Sequence, residues 1–371
     1  MAVRPVVTMA ATDAPRTGAV QRRVGVRRPP RTLTAAALAV AALFALPGGY
    51  VVWRVIGGST SPIALLASRR TLEPLWRTIQ LAVLVSASTA VLGTGLARLT
   101  TRTDIPLRRF WRIVVPLPLV YPSFVGAAAF ISGLTPGGIV NDLAGGLGID
   151  LSIRLHGLTG AWLVLTLFTY PYVYLPVAAR LTALRGAFEE NARLLGDGPG
   201  RVFARVVLPQ VWSSIAAGSL LVFLYTVSDF GAVHLMRFET LTQTIFRTRL
   251  FDRDRSFALA LVLLVLALLV VAAERTVARA GQRRGARLDV VGERRALVVP
   301  LGGWTAPALA ATTSVVGVAL VAPAVSLADW GLFGLLRARR DGAPLRLDWN
   351  DVLGPTWNTV WISVVTAMVA V

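Results

Sequence analysis

The sequence contains no cysteine and no lysine, and it has only two histidines. Without cysteine there is neither a disulfide framework nor thiol chemistry. Without lysine there is no P-loop of the form G-x-x-x-x-G-K-[ST], so this chain cannot hydrolyse ATP by that chemistry. The histidines, His156 and His234, have no neighbours at metal-ligand spacing, and no G-x-S-x-G or H-E-x-x-H motif occurs. We therefore expect no enzymatic activity, no metal site and no directly bound cofactor.

The 371 residues are 55% hydrophobic with a mean hydropathy of +0.64, which is too apolar for a soluble protein of this size. All 38 basic residues are arginine, and the net charge is +19. Such a charge can indicate nucleic-acid binding. Here the arginines cluster in short loops between apolar runs, as membrane insertion requires. We expect a lipid bilayer and no nucleic acid as the surroundings of this chain.

Seven apolar runs are long enough to cross a hydrocarbon core of about 30 Å as helices, and an eighth begins near residue 356. The fold class predicted is an all-α polytopic membrane protein. The predicted spans are residues 33–56, 78–97, 113–134, 157–179, 211–234, 256–273 and 304–328.

The distribution of arginine predicts the orientation of these spans. With a cytoplasmic N-terminus, the inner segments carry 24 arginines and the outer segments 14. Residues 1–32 hold seven of them with a single acid, which indicates a basic, disordered cytoplasmic tail. The loop at 180–210 then also faces the cytoplasm.

This loop has the pattern of two short helices joined at a glycine. Residues 187–195 are good helix formers, and Gly196 is placed to end the first helix in a left-handed conformation. Asp197 is predicted to cap the second helix, with Pro199 in its first turn. Val202 with Val206, and Phe203 with Val207, are predicted to lie one turn apart on one face. Such an element suits docking of a soluble partner.

The spacing E-x-A-x3-G-x9-[IV]-x-L-P in this loop resembles the EAA loop of ABC importer permeases, with an asparagine where the first alanine usually stands. The resemblance implies a cytoplasmic ATPase, in two copies, that docks on this loop and hydrolyses ATP for it. Glu190 is expected to pair with a basic residue of the ATPase. The predicted docking residues are Glu189, Glu190, Ala192, Gly196, Asp197, Phe203, Leu208 and Pro209.

The segment Pro74 to Val83 recurs as Pro355 to Val364 at a constant offset of 281 residues. On the predicted topology both copies enter from outside, so the repeat is parallel. We expect a fragment of a longer protein with two fused halves. The expected organisation is a tail (1–32), a first six-helix, MetI-like permease domain (33–275), an arginine-rich linker (276–302) and the incomplete start of a second domain (303–371).

Further motifs, among them the segments at 102–106, 170–174 and 240–245, are similar to the fused permeases of ferric iron importers. The resemblance implies Fe³⁺ as the substrate, an extracytoplasmic binding protein that delivers it, and a bacterial inner-membrane location. Permeases for thiamine, phosphonate and polyamines share much of this pattern. A secondary transporter driven by an ion gradient is the competing class, but intramembrane charge is nearly absent here.

A translocation path can be located only coarsely from the sequence. Pro116, Pro118 and Pro122 are expected to kink the third span. Tyr121, Tyr170, Tyr172 and Tyr174 line a cavity or form an interfacial aromatic belt, and the belt is the favoured interpretation for most of them.

Asp229 is the one carboxylate inside an apolar run, which makes it a candidate path residue together with Tyr225. It follows Pro209 by 20 residues, so a helix from the inner surface carries it roughly 30 Å, to the outer boundary. A polar cap at the outer end of the fifth span is therefore the favoured role.

Overall fold

The structure is a computed structural model. It describes residues 31–58, 68–134, 156–184, 186–285, 298–333 and 349–370, with a few single positions between 59 and 155. Within these ranges the chain is helical, and the one β contact is an isolated parallel bridge between Thr103 and Val299. The α-helices are α1 (Arg31–Ile56), α2 (Arg69–Arg102), α3 (Arg108–Val114), α4 (Ser123–Leu134), α5 (Gly157–Thr169), α6 (Pro171–Ala183), α7 (Ala187–Leu194), α8 (Pro199–Val202), α9 (Leu208–Ser228), α10 (Gly231–Leu235), α11 (Leu241–Thr248), α12 (Arg253–Gly285), α13 (Thr305–Val316), α14 (Ala322–Ala328) and α15 (Trp349–Ala370).

The chain divides into two compact units, residues 1–49 and residues 50–371. The first unit is described from residue 31 onward, where it forms the N-terminal part of α1, and its described side chains are exposed or half-buried. The predicted tail 1–32 lies almost wholly outside the described residues. All of the packing considered below belongs to the second unit.

Among the described residues, six helical segments are long and apolar enough to cross a membrane, which confirms a polytopic all-α protein. They are Arg31–Ile56, Arg69–Arg102, Gly157–Ala183, Pro199–Ser228, Arg253–Ala273 and Gly302–Gly331. A helix, α15, also forms at the predicted eighth run, but it is not one of these six.

The third predicted span, residues 113–134, is broken near Pro122, where a proline kink was predicted. Arg108–Val120 and Ser123–Leu134 are bent by 95° against each other. Pro122 explains the break, since the residue before a proline avoids the helical conformation. Tyr121 is accordingly extended, with φ −80° and ψ 122°. The pair is a broken span or a re-entrant loop.

Helices α2, α6 and α9 pack together at the centre of the second unit, around fully buried side chains such as Leu81, Val173 and Val222. Two glycines allow the close approach. A Cβ atom on Gly93 would lie 2.9 Å from the Tyr170 carbonyl oxygen, and one on Gly218 would lie 2.8 Å from the Tyr172 carbonyl oxygen. Helices in membranes commonly pack through such small residues, because dispersion contacts then extend to the backbone.

Tyr170 and Tyr174 belong to this core, so the belt interpretation is wrong for both. Tyr170 is completely buried, and its hydroxyl donates a hydrogen bond to the Val115 carbonyl at the end of α3. The Tyr174 hydroxyl lies 3.1 Å from the Thr100 hydroxyl. A buried phenol is stable because these oxygens satisfy its polar end.

The segment after the predicted linker packs back onto the preceding helices. Ser326 donates a hydrogen bond of 2.9 Å to the Ala129 carbonyl of α4, and the Tyr121 hydroxyl donates one of 3.3 Å to the Leu320 carbonyl. Part of the linker, residues 286–297, lies outside the described residues. The predicted domain boundaries therefore remain a prediction.

Candidate docking site

Residues 187–209 form a bent element that we call the elbow. Its first helix, α7, ends in a Schellman motif: the Gly196 N–H donates to the Arg193 carbonyl at 2.9 Å, and the Asp197 N–H donates to the Ala192 carbonyl at 3.1 Å. Gly196 has a φ of +90°, a conformation that costs little only for glycine. The predicted left-handed helix stop at Gly196 is present.

Asp197 does not cap the second helix, contrary to the prediction. The N-cap of α8 is Gly198, which is extended, with φ −69° and ψ 161°. Asp197 belongs to the Schellman motif that ends α7, so the second helix starts one residue later than expected. Its carboxylate instead accepts a hydrogen bond of 3.3 Å from Arg201. Pro199 does occupy the first turn, as predicted.

The helix after α8 widens into a π turn over Phe203–Val207 before α9 begins. Val202 and Val207, five residues apart, are the buried pair, with 2% and 3% exposure. The four residues predicted to share one face, Val202, Phe203, Val206 and Val207, are all buried or half-buried, but the π turn brings residues five positions apart together instead of four. Phe203 is half-buried, and the guanidinium of Arg98 lies over its ring, 4.1 Å from the centroid of the Phe203 ring. Of the other two predicted docking residues here, Leu208 is half-buried and Pro209 is exposed.

A buried ion pair anchors the elbow to α2. Glu189 is 5% exposed and Arg102 is 3% exposed, and their Oε1 and guanidinium nitrogen lie 3.0 Å apart. Arg102 also donates a hydrogen bond of 3.2 Å to the Leu184 carbonyl. Burial raises the pKa of the Glu189 carboxyl, and the neighbouring Arg102 opposes that shift. Glu189, one of the predicted docking residues, therefore faces the protein interior and is not part of the exposed surface of the elbow.

The exposed surface of the elbow is more apolar than the predicted set of docking residues. Leu194 and Leu195 are 86% and 88% exposed, next to the exposed Asn191 and Pro199. We call Asn191, Leu194, Leu195 and Pro199 the docking face, after the role predicted for this loop. Glu190 and Ala192 are half-buried at its edge. Two adjacent leucines on an otherwise polar loop could have indicated this face in the sequence. Exposed apolar patches mark interaction sites.

The candidate path residues fall into two places. Asp229 ends α9, and its Oδ1 accepts hydrogen bonds from the N–H groups of Ala232 at 3.0 Å and Val233 at 3.4 Å. Its Oδ2 accepts one from Ser123 at the start of α4, and Ser123 also contacts Tyr225. The structure thus brings Tyr225 and Asp229 together at the broken span, whereas Tyr170 is enclosed in the core. No group of metal-binding side chains occurs among the described residues.

Residues 89–280, which include the elbow, match the family model of binding-protein-dependent transport system inner membrane components. The chain belongs to this family. The permease is 32% identical over 251 residues to the Fe(3+)-transport system permease protein of Haemophilus influenzae, a match that covers 67% of this chain and 46% of that protein. It thus spans about half the length of this relative. The permease is a multi-pass inner membrane protein, and its relatives are transport subunits.

Relatives with other named substrates also match. The permease is 29% identical over 229 residues to the molybdenum transport system permease protein of Mycobacterium tuberculosis, which covers 57% of this chain and 86% of that protein. A crystal structure of a bacterial alginate ABC transporter, in complex with an alginate-bound periplasmic protein, matches with a TM-score of 0.53 and 16% identity. That match covers 67% of this chain and 94% of the other. The likeness confirms the fold of an ABC importer permease.

Proposed function

We propose that this permease forms the translocation path of a ferric iron importer and docks a separate cytoplasmic ATPase on its elbow. The observation that carries the proposal is the division of the elbow into two sides. Glu189 and Val202 are buried against the rest of the protein, whereas Leu194 and Leu195 face outward. A loop that needed no partner would not keep two leucines in water.

The elbow is built to pass a displacement into the membrane. From Pro199 the chain runs as one 30-residue segment, through the π turn and α9, to Ser228. Three residues, 184–186, connect the end of α6 to α7. A push on the docking face therefore tilts α6 and α9 together as rigid bodies, and access alternates as the ATPases close. ATP hydrolysis is assigned to the partner because this chain has no lysine.

Ferric iron is the proposed substrate for two reasons. One is the similarity to the Haemophilus influenzae relative, and the other is the set of motifs in this chain that resemble fused ferric permeases. Molybdate is the first alternative, and phosphonate follows, since a putative 2-aminoethylphosphonate permease of Salmonella typhimurium is 27% identical over 248 residues. The proposal further includes two ATPase copies, an extracytoplasmic binding protein and a cytoplasmic N-terminus. Uptake of radioactive ferric citrate and of molybdate by proteoliposomes that contain the complete complex would decide between the two ions.

Docking is tested by the double variant Leu194→Glu with Leu195→Glu. Both side chains point into solvent, so we expect the variant to reach the membrane in normal amount and to lose the co-purifying ATPase, a drop of roughly tenfold or more. Leu250→Glu is the matched control, because Leu250 is 70% exposed in a loop predicted to lie on the opposite side of the membrane. If the double variant retains as much ATPase as this control, the docking face is wrongly assigned.

A further inference from the structure

Arg102 ends α2, and Thr103 and Asp104 follow it. These three residues contact two other parts of the chain at once. Toward the elbow, the Arg102 side chain makes the buried ion pair with Glu189 and the hydrogen bond to the Leu184 carbonyl. The elbow is therefore fastened to the end of α2 by a charge pair from which water is largely excluded. Separating the two side chains would leave buried charges without compensation, so the pair holds the elbow and α2 together.

The backbone of the same three residues holds the segment that follows the linker. The Val299 N–H donates to the Arg102 carbonyl at 2.9 Å, and Val299 pairs with Thr103 in the parallel bridge. The Leu301 N–H donates to Asp104 Oδ1 at 2.8 Å. Thr103 is 3% exposed, so the bridge is covered, whereas Asp104 lies at the surface.

This contact is important because of the segment that follows Val299 and Leu301. Directly after Leu301 the chain forms a short 3₁₀ turn, Gly302–Trp304, and then α13, the start of the last of the six membrane segments. This segment packs on α4 through Ser326 and Ala129. A displacement of residues 299–301 therefore moves a helix that contacts the broken span.

The geometry points to Arg102, Thr103 and Asp104 as a clamp that makes the elbow and residues 299–328 move as one unit during the ATP cycle. This inference rests on the proposed docking of an ATPase at the elbow. Through the clamp, one push on the docking face reaches α2 and the segment after the linker, in addition to α6 and α9. Arg102 and Asp104 are thus positioning residues for transport.

The first test breaks the clamp without touching the docking face. Asp104→Ala with Val299→Pro removes the side-chain acceptor for Leu301 and the N–H that bonds to Arg102. The matched control is Asp104→Asn with Val298→Pro, which keeps an oxygen acceptor and the Val299 N–H. In proteoliposomes of the full-length permease with its ATPase, ferric citrate and molybdate serve as probes, and ions transported per ATP hydrolysed is the readout. We expect this ratio to fall at least about fivefold in the broken-clamp variant and to stay near wild type in the control.

The second test locks the clamp with a disulfide. Thr103→Cys with Val299→Cys introduces the sole two thiols of this sequence. Paired residues of neighbouring strands lie about 5 Å apart, within the Cα range of about 4.4–6.8 Å that a disulfide accepts. We expect the bond to form with and without bound ATP and to leave uptake unchanged, because the clamp stays closed through the cycle. A bond that forms in one nucleotide state alone, or that blocks uptake, would overturn the inference.

The two proposals fail in different ways. If no ATPase co-purifies with the wild-type permease, docking itself is wrong. If the ATPase binds and hydrolyses ATP normally, but the broken-clamp variant transports as many ions per ATP as the wild type, the clamp is wrong and docking stands. Should the broken-clamp variant fail to reach the membrane, the disulfide pair still decides the inference.

Discussion

The elbow and the far end of the membrane segment Pro199–Ser228 each contain a buried carboxylate, but the two carboxylates are held in different ways. At the elbow, Glu189 pairs with Arg102, which belongs to another helix and lies 87 positions earlier. At the far end, Asp229 is satisfied by two backbone N–H groups within four residues and by the Ser123 hydroxyl. One end depends on a long-range pair of charges, and the other depends mainly on a local cap.

This difference matches what each end is proposed to do. A local cap holds the chain in one conformation whatever the neighbouring helices do. A long-range ion pair fastens the elbow to α2, so a force that displaces the elbow also displaces α2. The carboxylate at the docking end therefore needs its positive partner, whereas the carboxylate at the far end needs hydrogen-bond donors but not a charge.

The sharpest way to break this comparison is Arg102→Met, which removes the guanidinium 3.0 Å from the buried Glu189 and leaves it only the weaker attraction of Arg98 and Arg193. Removing one member of a buried pair costs about 3–5 kcal/mol, so we expect a large drop in the thermal unfolding midpoint of the purified permease. The matched control is Arg109→Met, because Arg109 is an exposed arginine in the next helix. An unfolding midpoint for Arg102→Met equal to that of the control would contradict a stabilising pair.

The pH dependence of Arg102→Met follows from the pKa of Glu189, which burial already raises in the wild type. Without Arg102 the pKa rises further, so the folded state holds the proton to higher pH than the unfolded state does. A raised carboxyl pKa contributes stability that is complete below the unfolded value and is lost as the pH rises through the folded one. We therefore expect the difference from wild type to grow as the pH rises above the ordinary range of a carboxyl pKa. Unfolding curves across this range would measure it, and a constant difference would contradict the assigned cause.

At the far end, Asp229→Ala should cost about 1–2 kcal/mol, the usual range for the loss of a helix cap. Asp229→Asn keeps an oxygen that can accept from the Ala232 and Val233 N–H groups, so its stability should stay near wild type. Unfolding of the two variants in the same detergent measures the comparison. If the Asn variant is as unstable as the Ala variant, the charge of Asp229 matters and the contrast between the two ends fails.

The smallest stability effect is expected at the bend of the elbow. A Cβ atom on Gly196 would meet no atom within 4 Å. The left-handed backbone conformation is therefore the only cost expected for Gly196→Ala, a loss of about 1 kcal/mol in the free energy of unfolding. Gly200→Ala is the control, since Gly200 has equal space and no left-handed φ. Gly196→Glu should remain in the membrane yet uncouple transport from ATP hydrolysis. Uptake at the wild-type rate in this variant would show that the bend does not serve docking.

Local signals made the elbow predictable from the sequence. The stop at Gly196 and the first-turn Pro199 follow from backbone preferences of single residues, and the family motif added their spacing. The cap was misplaced by one position because the helix stop at Gly196 also uses the Asp197 N–H, which bonds back to the Ala192 carbonyl. The π turn was missed because residues 203–207 carry no mark that separates it from an ordinary helix.

Long-range contacts were not predictable. Arg102 and Glu189 lie in separate helices, α2 and α7, and nothing in a single sequence pairs them. The same holds for the Val299 bridge and for the burial of Tyr170, which depends on the carbonyl that α3 leaves free at its end. Pro122 did predict a disturbance of the third span, but a bend of 95° depends on how α4 packs against α10 and α14.

The central claim is that the elbow faces the cytoplasm and is held there by an ATPase. Leu195→Cys tests it directly, since residue 195 is 88% exposed and the sequence has no other thiol. In intact cells a membrane-impermeant maleimide should fail to label this cysteine, while Phe251→Cys, 91% exposed in a predicted outer loop, should react. In inside-out vesicles the Leu195→Cys thiol should react, and bound ATPase should protect it. Labelling of Leu195→Cys from outside intact cells would contradict the account.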